Sequence, residues 1–212
     1  MRLDAADWLG HLDDARTLAL AGDAEGVHQV RVALRRLRVW LGFKGHPKLE
    51  AHLRWACGQL ALLRDLDVFG DVLLEGPRES LRSDAMTRAS EALTSTRWTD
   101  LREALEAVRL PKRSTAKKNL RRLERRLENL GDALRDRDGE ALHRLRRTLR
   151  RVRYAREWLG LDTSQLAAKQ ESLGAVCDLL ALRAFALHHG AEVPASLVDG
   201  IGRGFELLAS GG

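Results

Sequence analysis

The chain has 212 residues, 44% of them apolar and 31% charged, with a formal charge of +6 and a pI near 9.9. That length supports one large domain or two small ones with a real core, and the apolar share excludes a disordered chain. The positive balance favours a polyanionic partner over a cationic one.

Helical periodicity runs through the chain and strand-like alternation is almost absent, so the expected fold class is all-α. The opening MRLDAADWLG carries acids where a secretory signal needs an apolar run. No stretch approaches the roughly 18 apolar residues that span a bilayer. We therefore expect a cytoplasmic protein with no membrane association. The first predicted helix covers 3–20, and AGDAEG (21–26) reads as the turn after it.

The second predicted helix, 27–42, is the most informative. Val30, Leu34, Leu37 and Leu41 recur at 4-3-4 spacing and form an apolar seam. His28, Arg31, Arg35 and Arg38 recur at 3-4-3 spacing and form a second, basic seam. At about 100° per residue the two seams lie roughly 110° apart, so the basic stripe borders the core. Arg36 falls on neither. Four bases on one side with no acid at i+4 repel one another. Such a stripe is more easily explained if something anionic sits on it, either acids of a neighbouring helix or a ligand.

FKGHP (43–47) reads as the next turn, followed by a long predicted helix over 47–73. This helix carries Trp55, Cys57 and the acids Asp65 and Asp67 in LALLRDLDVF. Trp55, like Trp40, is expected in the core. Cys57 and Cys177 are the only cysteines; with no Cys-x-x-Cys pair they read as reduced, buried thiols. EGP (75–77) is the turn before a predicted helix over 78–108, with a break expected around 95–98. Each of the four prolines, Pro47, Pro77, Pro111 and Pro194, sits near or just inside a predicted helix start.

The second half continues with helices over 112–135, 140–159, 164–189 and 194–209. Their turns are RDRDGE (135–140), LGLDTS (159–164) and HHGAEVP (188–194). The total is eight helices in two sets of four. From Lys112 to Arg156, 17 Lys and Arg stand against 6 Asp and Glu; from Glu157 onward the count is 3 against 7. The basic block falls on two consecutive helices. In the first, Leu120, Leu123, Leu127 and Leu130 make a core seam. Its basic residues, among them Lys117, Lys118, Arg121, Arg122 and Arg125, come in adjacent pairs just before and between those leucines.

The other half of the block repeats the motif of the 27–42 helix. Shifted by 115 residues, His28, Arg31, Leu34, Arg35, Arg36 and Arg38 match His143, Arg146, Leu149, Arg150, Arg151 and Arg153. Leu145, Leu149 and Val152 form the core seam; His143, Arg146, Arg150 and Arg153 form the stripe. An internal duplication is the simplest source. The acids Asp65, Asp67 and Asp178 are candidate internal partners, but they are too few for the stripe bases.

HQVRVALRRLR and LHRLRRTLRRVRYAREWL, with LRDLDVF and SLGAVCDLL in the right order, resemble the signature segments of the CHAD domain, the conserved histidine α-helical domain. The resemblance covers essentially the whole chain, 1–212, as a single domain with halves 1–110 and 111–212. It implies two four-helix bundles related by a pseudo-twofold axis. It also implies binding of inorganic polyphosphate by basic side chains in a groove or pore between them, and localisation at polyphosphate granules. Residue by residue, it assigns His28, Arg31, Arg35, Arg38, His143, Arg146, Arg150 and Arg153 as ligands. Lys117, Lys118, Arg121, Arg122 and Arg125 match only as a generally basic helix. Ala61 stands where the second half has Gly174, and Leu180 replaces the second acid of the Asp65/Asp67 pair. The stripes are therefore expected to be braced differently.

Polyphosphate offers no base, sugar or apolar surface, so charge and forked hydrogen bonding must recognise it, and Arg supplies both. Nucleic acid or an acidic protein partner is the alternative. Against nucleic acid, aromatics are 5% and do not interleave with the stripe, and no nucleic-acid-binding signature is found. The chain is read as a non-enzyme without cofactor. It has no Gly-rich phosphate loop, no His pair at metal spacing and no nucleophile beside a base. Arginines flanking His28 and His143 would repel a divalent cation. His11, His46 and His52 read as surface or turn residues.

Overall fold

The computed structural model describes residues 5–43, 45–109, 111–130 and 138–210. Among these, the chain forms ten α-helices, one 3₁₀ turn at Gly70–Val72 and no strand. The helices are α1 (Ala5–Leu20), α2 (Ala24–Gly42), α3 (Pro47–Gln59), α4 (Ala61–Phe69), α5 (Glu75–Thr94), α6 (Thr96–Ala107), α7 (Arg113–Glu128), α8 (Gly139–Leu159), α9 (Ser164–His188) and α10 (Ala195–Ser210). Two compact units divide the chain, Met1–Ala116 and Lys117–Gly212.

The first unit holds α1 to α6. Asp23 caps α2 by accepting a hydrogen bond from the Gly26 N–H at 2.8 Å, so α2 starts within the expected 21–26 turn. Gly26 lets α1 and α2 close tightly, since a Cβ there would lie 2.4 Å from the Ala19 nitrogen. The α2 seam of Val30, Leu34, Leu37 and Leu41 is fully buried, and Trp40 joins it. Trp55 does not: it is half-buried, with the Arg97 guanidinium over its ring at 4.0 Å. Residues from α1, α3, α4, α5 and α6 also enter buried positions, among them Leu12, Leu53, Leu63, Leu93, Leu101 and Leu105.

Two expected helices are each divided, which turns eight helices into ten. The 47–73 segment breaks at Leu60, whose φ of −93° and ψ of 2° leave helical geometry between α3 and α4. No Pro marks the spot, and the nearest Gly is Gly58, inside the last turn of α3. The 78–108 segment breaks where expected: Ser95 is extended, with ψ of 154°, and its hydroxyl accepts from the Trp98 N–H as the N-cap of α6. Helix α5 starts at Glu75, inside the expected 75–77 turn.

The second unit holds α8, α9, α10 and most of α7. Leu142, Leu145 and Leu149 of α8 meet Leu173, Val176 and Cys177 of α9 and Phe205 of α10. Leu127 of α7 and Leu130 just after it pack against that cluster, and Leu120 and Leu123 are buried. Asp138 caps α8 through the Glu140 N–H, and Gly160 ends it in the left-handed region at φ 68°. Residues 131–137 lie outside the described residues, and with them the end of the expected 112–135 helix and part of the 135–140 turn; so do residues 3 and 4 of the first helix and Lys44. Neither Cys57 nor Cys177 is in a disulfide; Cys177 is buried, whereas Cys57 is only half-buried, short of the expectation.

Candidate functional site

On α2, the basic stripe lies beside the buried seam. His28, Arg31, Arg35 and Arg38 are all half-buried. Arg31 Nη1 donates to the Cys57 carbonyl at 2.6 Å. The helix break lies just beyond it: the Leu60 N–H turns to the Gly58 carbonyl, and the guanidinium serves the Cys57 carbonyl near the end of α3. Asp65 of α4 is a carboxylate whose charge acts on Arg31 and on Arg64. Burial pushes the Asp65 carboxyl above its usual range against the pull of those two arginines.

His28 sits in a strongly positive corner. Burial, then Arg64 of α4, Arg35 and Arg31 hold its imidazole below the usual value, with Glu25 pulling the other way. Among the described residues, neither Arg35 nor Arg38 forms an ion pair. Arg35 Nε is shut off from solvent without a hydrogen-bond partner. The second acid of the segment, Asp67, is spent elsewhere, on Arg82 of α5 at 2.5 Å. Arg36 lies over the Trp8 ring of α1 at 4.4 Å, off the stripe as its register implies.

Helix α8 carries the matching stripe with different bracing. His143, Arg146, Arg150 and Arg153 are half-buried, and Arg151 is exposed. Arg146 Nη1 donates to Asp178 Oδ1 of α9 at 2.8 Å. Gly174, one turn before Asp178, makes room: a Cβ there would stand 3.3 Å from Arg146 Nη2. Helix α9 runs unbroken through this segment, and a carboxylate takes the role that the Cys57 carbonyl plays for Arg31. Arg153 Nε donates to Glu157 Oε1 at 2.9 Å. The sequence reading overlooked this acid, although it stands at i+4 on the same helix. Burial, then Arg146 and Arg147, hold His143 below the usual imidazole value, with Asp178 opposing.

On α7, Lys117, Lys118, Arg121, Arg122 and Arg125 are all exposed, opposite the buried Leu120 and Leu123. Glu124 is drawn inward to Arg156 of α8 at 3.0 Å. The structure thus groups the predicted residues into a half-buried stripe on α2, a second on α8 and an exposed basic face on α7. The sequence reading missed Arg64, which sits in the LRDLDVF segment next to a noted acid. His11 is not a plain surface residue: it is half-buried and hydrogen-bonds Gln29 at 3.0 Å. Among the described residues, no three His, Cys, Asp or Glu side chains gather so as to hold a metal ion, and no helix is long and apolar enough to cross a membrane.

The family model for the CHAD domain matches residues 4–187. The chain is similar to the crystal structure of the CHAD domain from the plant Ricinus communis, with a TM-score of 0.69 and 23% identity over 99% of this chain and 90% of that one. At that identity the likeness is one of fold. No curated protein matches the chain.

Proposed function

The chain belongs to the CHAD domain family, and on that premise we propose that it binds inorganic polyphosphate through the stripes of α2 and α8, without cleaving it. The observation that carries the reading is the half-buried stripe of α2, where Arg35 and Arg38 have no carboxylate partner among the described residues. Like charges held together beside a core cost folding energy, and an anion relieves that cost. Arg offers a fork of donors that matches phosphate oxygens, and a linear polyphosphate presents such oxygens at every repeat. The exposed bases of α7 extend the positive field, adding attraction at longer range. The two His/Arg stripes, alike in spacing, support descent of the halves from one duplicated unit.

As a binder, the chain would collect wherever polyphosphate collects, so association with polyphosphate granules in the cytoplasm belongs to the same proposal. Calorimetric titration of the full chain with long-chain polyphosphate tests it, with free phosphate assayed in parallel. Saturable heat without phosphate release is expected. Absence of binding at low salt overturns the binding reading, and release of phosphate by the pure protein overturns the non-catalytic one. Competition by short duplex DNA at equal charge would favour the nucleic-acid alternative.

A further inference from the structure

The two stripes have the same residues at the same spacing, yet they differ in what already occupies them. On α8, Arg146 is paired with Asp178 at 2.8 Å and Arg153 with Glu157 at 2.9 Å. On α2, Arg31 is bound to a neutral carbonyl, and Arg35 and Arg38 have no ion pair among the described residues. Asp67, which could have served this stripe, is taken by Arg82. Helix α4 also adds a base, since the charge of Arg64 is felt at both His28 and Arg31.

We propose that the stripes are unequal anion sites: the α2 stripe, completed by Arg64, takes a phosphoryl anion first. The α8 stripe is a weaker second site, held in check by Asp178 and Glu157, which compete with the anion for Arg146 and Arg153. This inference rests on the reading of the chain as a polyphosphate binder. An anion arriving on α8 must displace or lie beside a carboxylate, losing a charge-assisted hydrogen bond or meeting like charge. On α2 no carboxylate is ion-paired with Arg31, Arg35 or Arg38 among the described residues, and the half-buried Asp65 acts on Arg31 and Arg64 only through its charge, so no such hydrogen bond has to be given up.

Tripolyphosphate is the probe, because a short anion can occupy one stripe at a time. His28 and His143 each report on one stripe of the full chain, and their imidazole resonances can be assigned with His28→Gln and His143→Gln. The His28 signal is expected to reach half its shift at several-fold lower tripolyphosphate than the His143 signal. Asp178→Asn with Glu157→Gln should lower the His143 midpoint towards that of His28 and leave the His28 midpoint in place. Arg64→Gln should raise the His28 midpoint alone. Equal midpoints in the unmodified chain, or a His143 midpoint that the neutralising pair leaves unmoved, overturn the inference. Failure of the underlying reading looks different: neither resonance shifts, and calorimetry with long-chain polyphosphate at low salt gives no heat.

Discussion

Arg146 of α8 donates to Asp178 of α9 at 2.8 Å, with the backbone of Gly174 directly beside the guanidinium. Asp178 is more than half exposed, so solvent screens the pair. Asp178→Asn should therefore cost less than about 1 kcal/mol of stability, measured by urea unfolding. Gly174→Ala gains helix propensity but pushes Arg146 aside by a few tenths of an ångström. In a double-mutant cycle it should reduce the coupling between Arg146 and Asp178. Undiminished coupling would mean that the guanidinium does not depend on the gap at Gly174.

Charge reversal should separate stripe from bystander. Arg35 and Arg150 are half-buried on their stripes, whereas Arg36 lies over Trp8 and Arg151 is exposed. Hydrogen bonds to charged groups are worth about 1.5–3 kcal/mol each, so Arg35→Glu with Arg150→Glu should weaken polyphosphate binding by at least about a hundredfold. Arg36→Glu with Arg151→Glu changes net charge equally and should weaken it much less. Affinity should also fall steeply with salt, as counterions condensed on the polyanion are released. Filter binding at two salt concentrations, after a check of helicity, reads both effects. Equal losses would leave net charge as the whole explanation, and no loss in either pair would move the ligand to the Lys117–Arg126 helix.

The histidines give the pH dependence. In the free chain His28 and His143 are both held below the usual imidazole value, by burial first and by neighbouring arginines next. A folded pKa below the unfolded one means that the folded state binds fewer protons between the two values. The corresponding stability is present above about pH 6.5 and is lost as pH falls through the folded pKa. Bound phosphate has the opposite effect, since it favours imidazolium. Polyphosphate affinity should therefore rise as pH drops from 7.5 to 5.5, while the melting temperature of the free chain drops. Both pH dependences should flatten in His28→Gln with His143→Gln; an unchanged binding profile in that variant would detach the histidines from the site.

Burial sets the core predictions. Leu149 is 2% exposed and sits in the α8–α9–α10 cluster, so Leu149→Ala should cost about 2–5 kcal/mol. Leu187→Ala, at 58% exposure near the end of α9, should stay within about 0.5 kcal/mol. Denaturant midpoints of the two variants check the orientation of both helices.

The seams of α2 and α8 were legible because helical period and residue type agree: every seam residue from Val30 to Leu41 is buried and every stripe residue is half-buried. The break at Ser95 was legible too, since Ser is a strong N-cap residue. The break at Leu60 was not, because leucine favours helix and a single Gly two residues earlier, at position 58, is a weak signal inside an apolar-periodic run. The next gap lies beside that unread break, as the Cys57 carbonyl near the end of α3 is what Arg31 binds. Partner choice was likewise hidden. Asp67 could have braced the stripe from its position in sequence, and only the placement of α5 shows that Arg82 has claimed it.

The tight approach at Gly26 bears on how the chain reaches its fold. Helices α1 and α2 meet through a turn of three residues, Ala21 to Asp23, so their contacts close a short loop at little entropic cost. Contacts between neighbours in sequence form early. This hairpin is thus expected to belong to the folding nucleus, with substitutions at the Ala19–Gly26 contact slowing refolding more than they speed unfolding. The helix bearing the first stripe would then be in place, its like charges already lined up, before α4 delivers Arg64 and Asp65. An anion present during refolding should accordingly act as a folding accelerator.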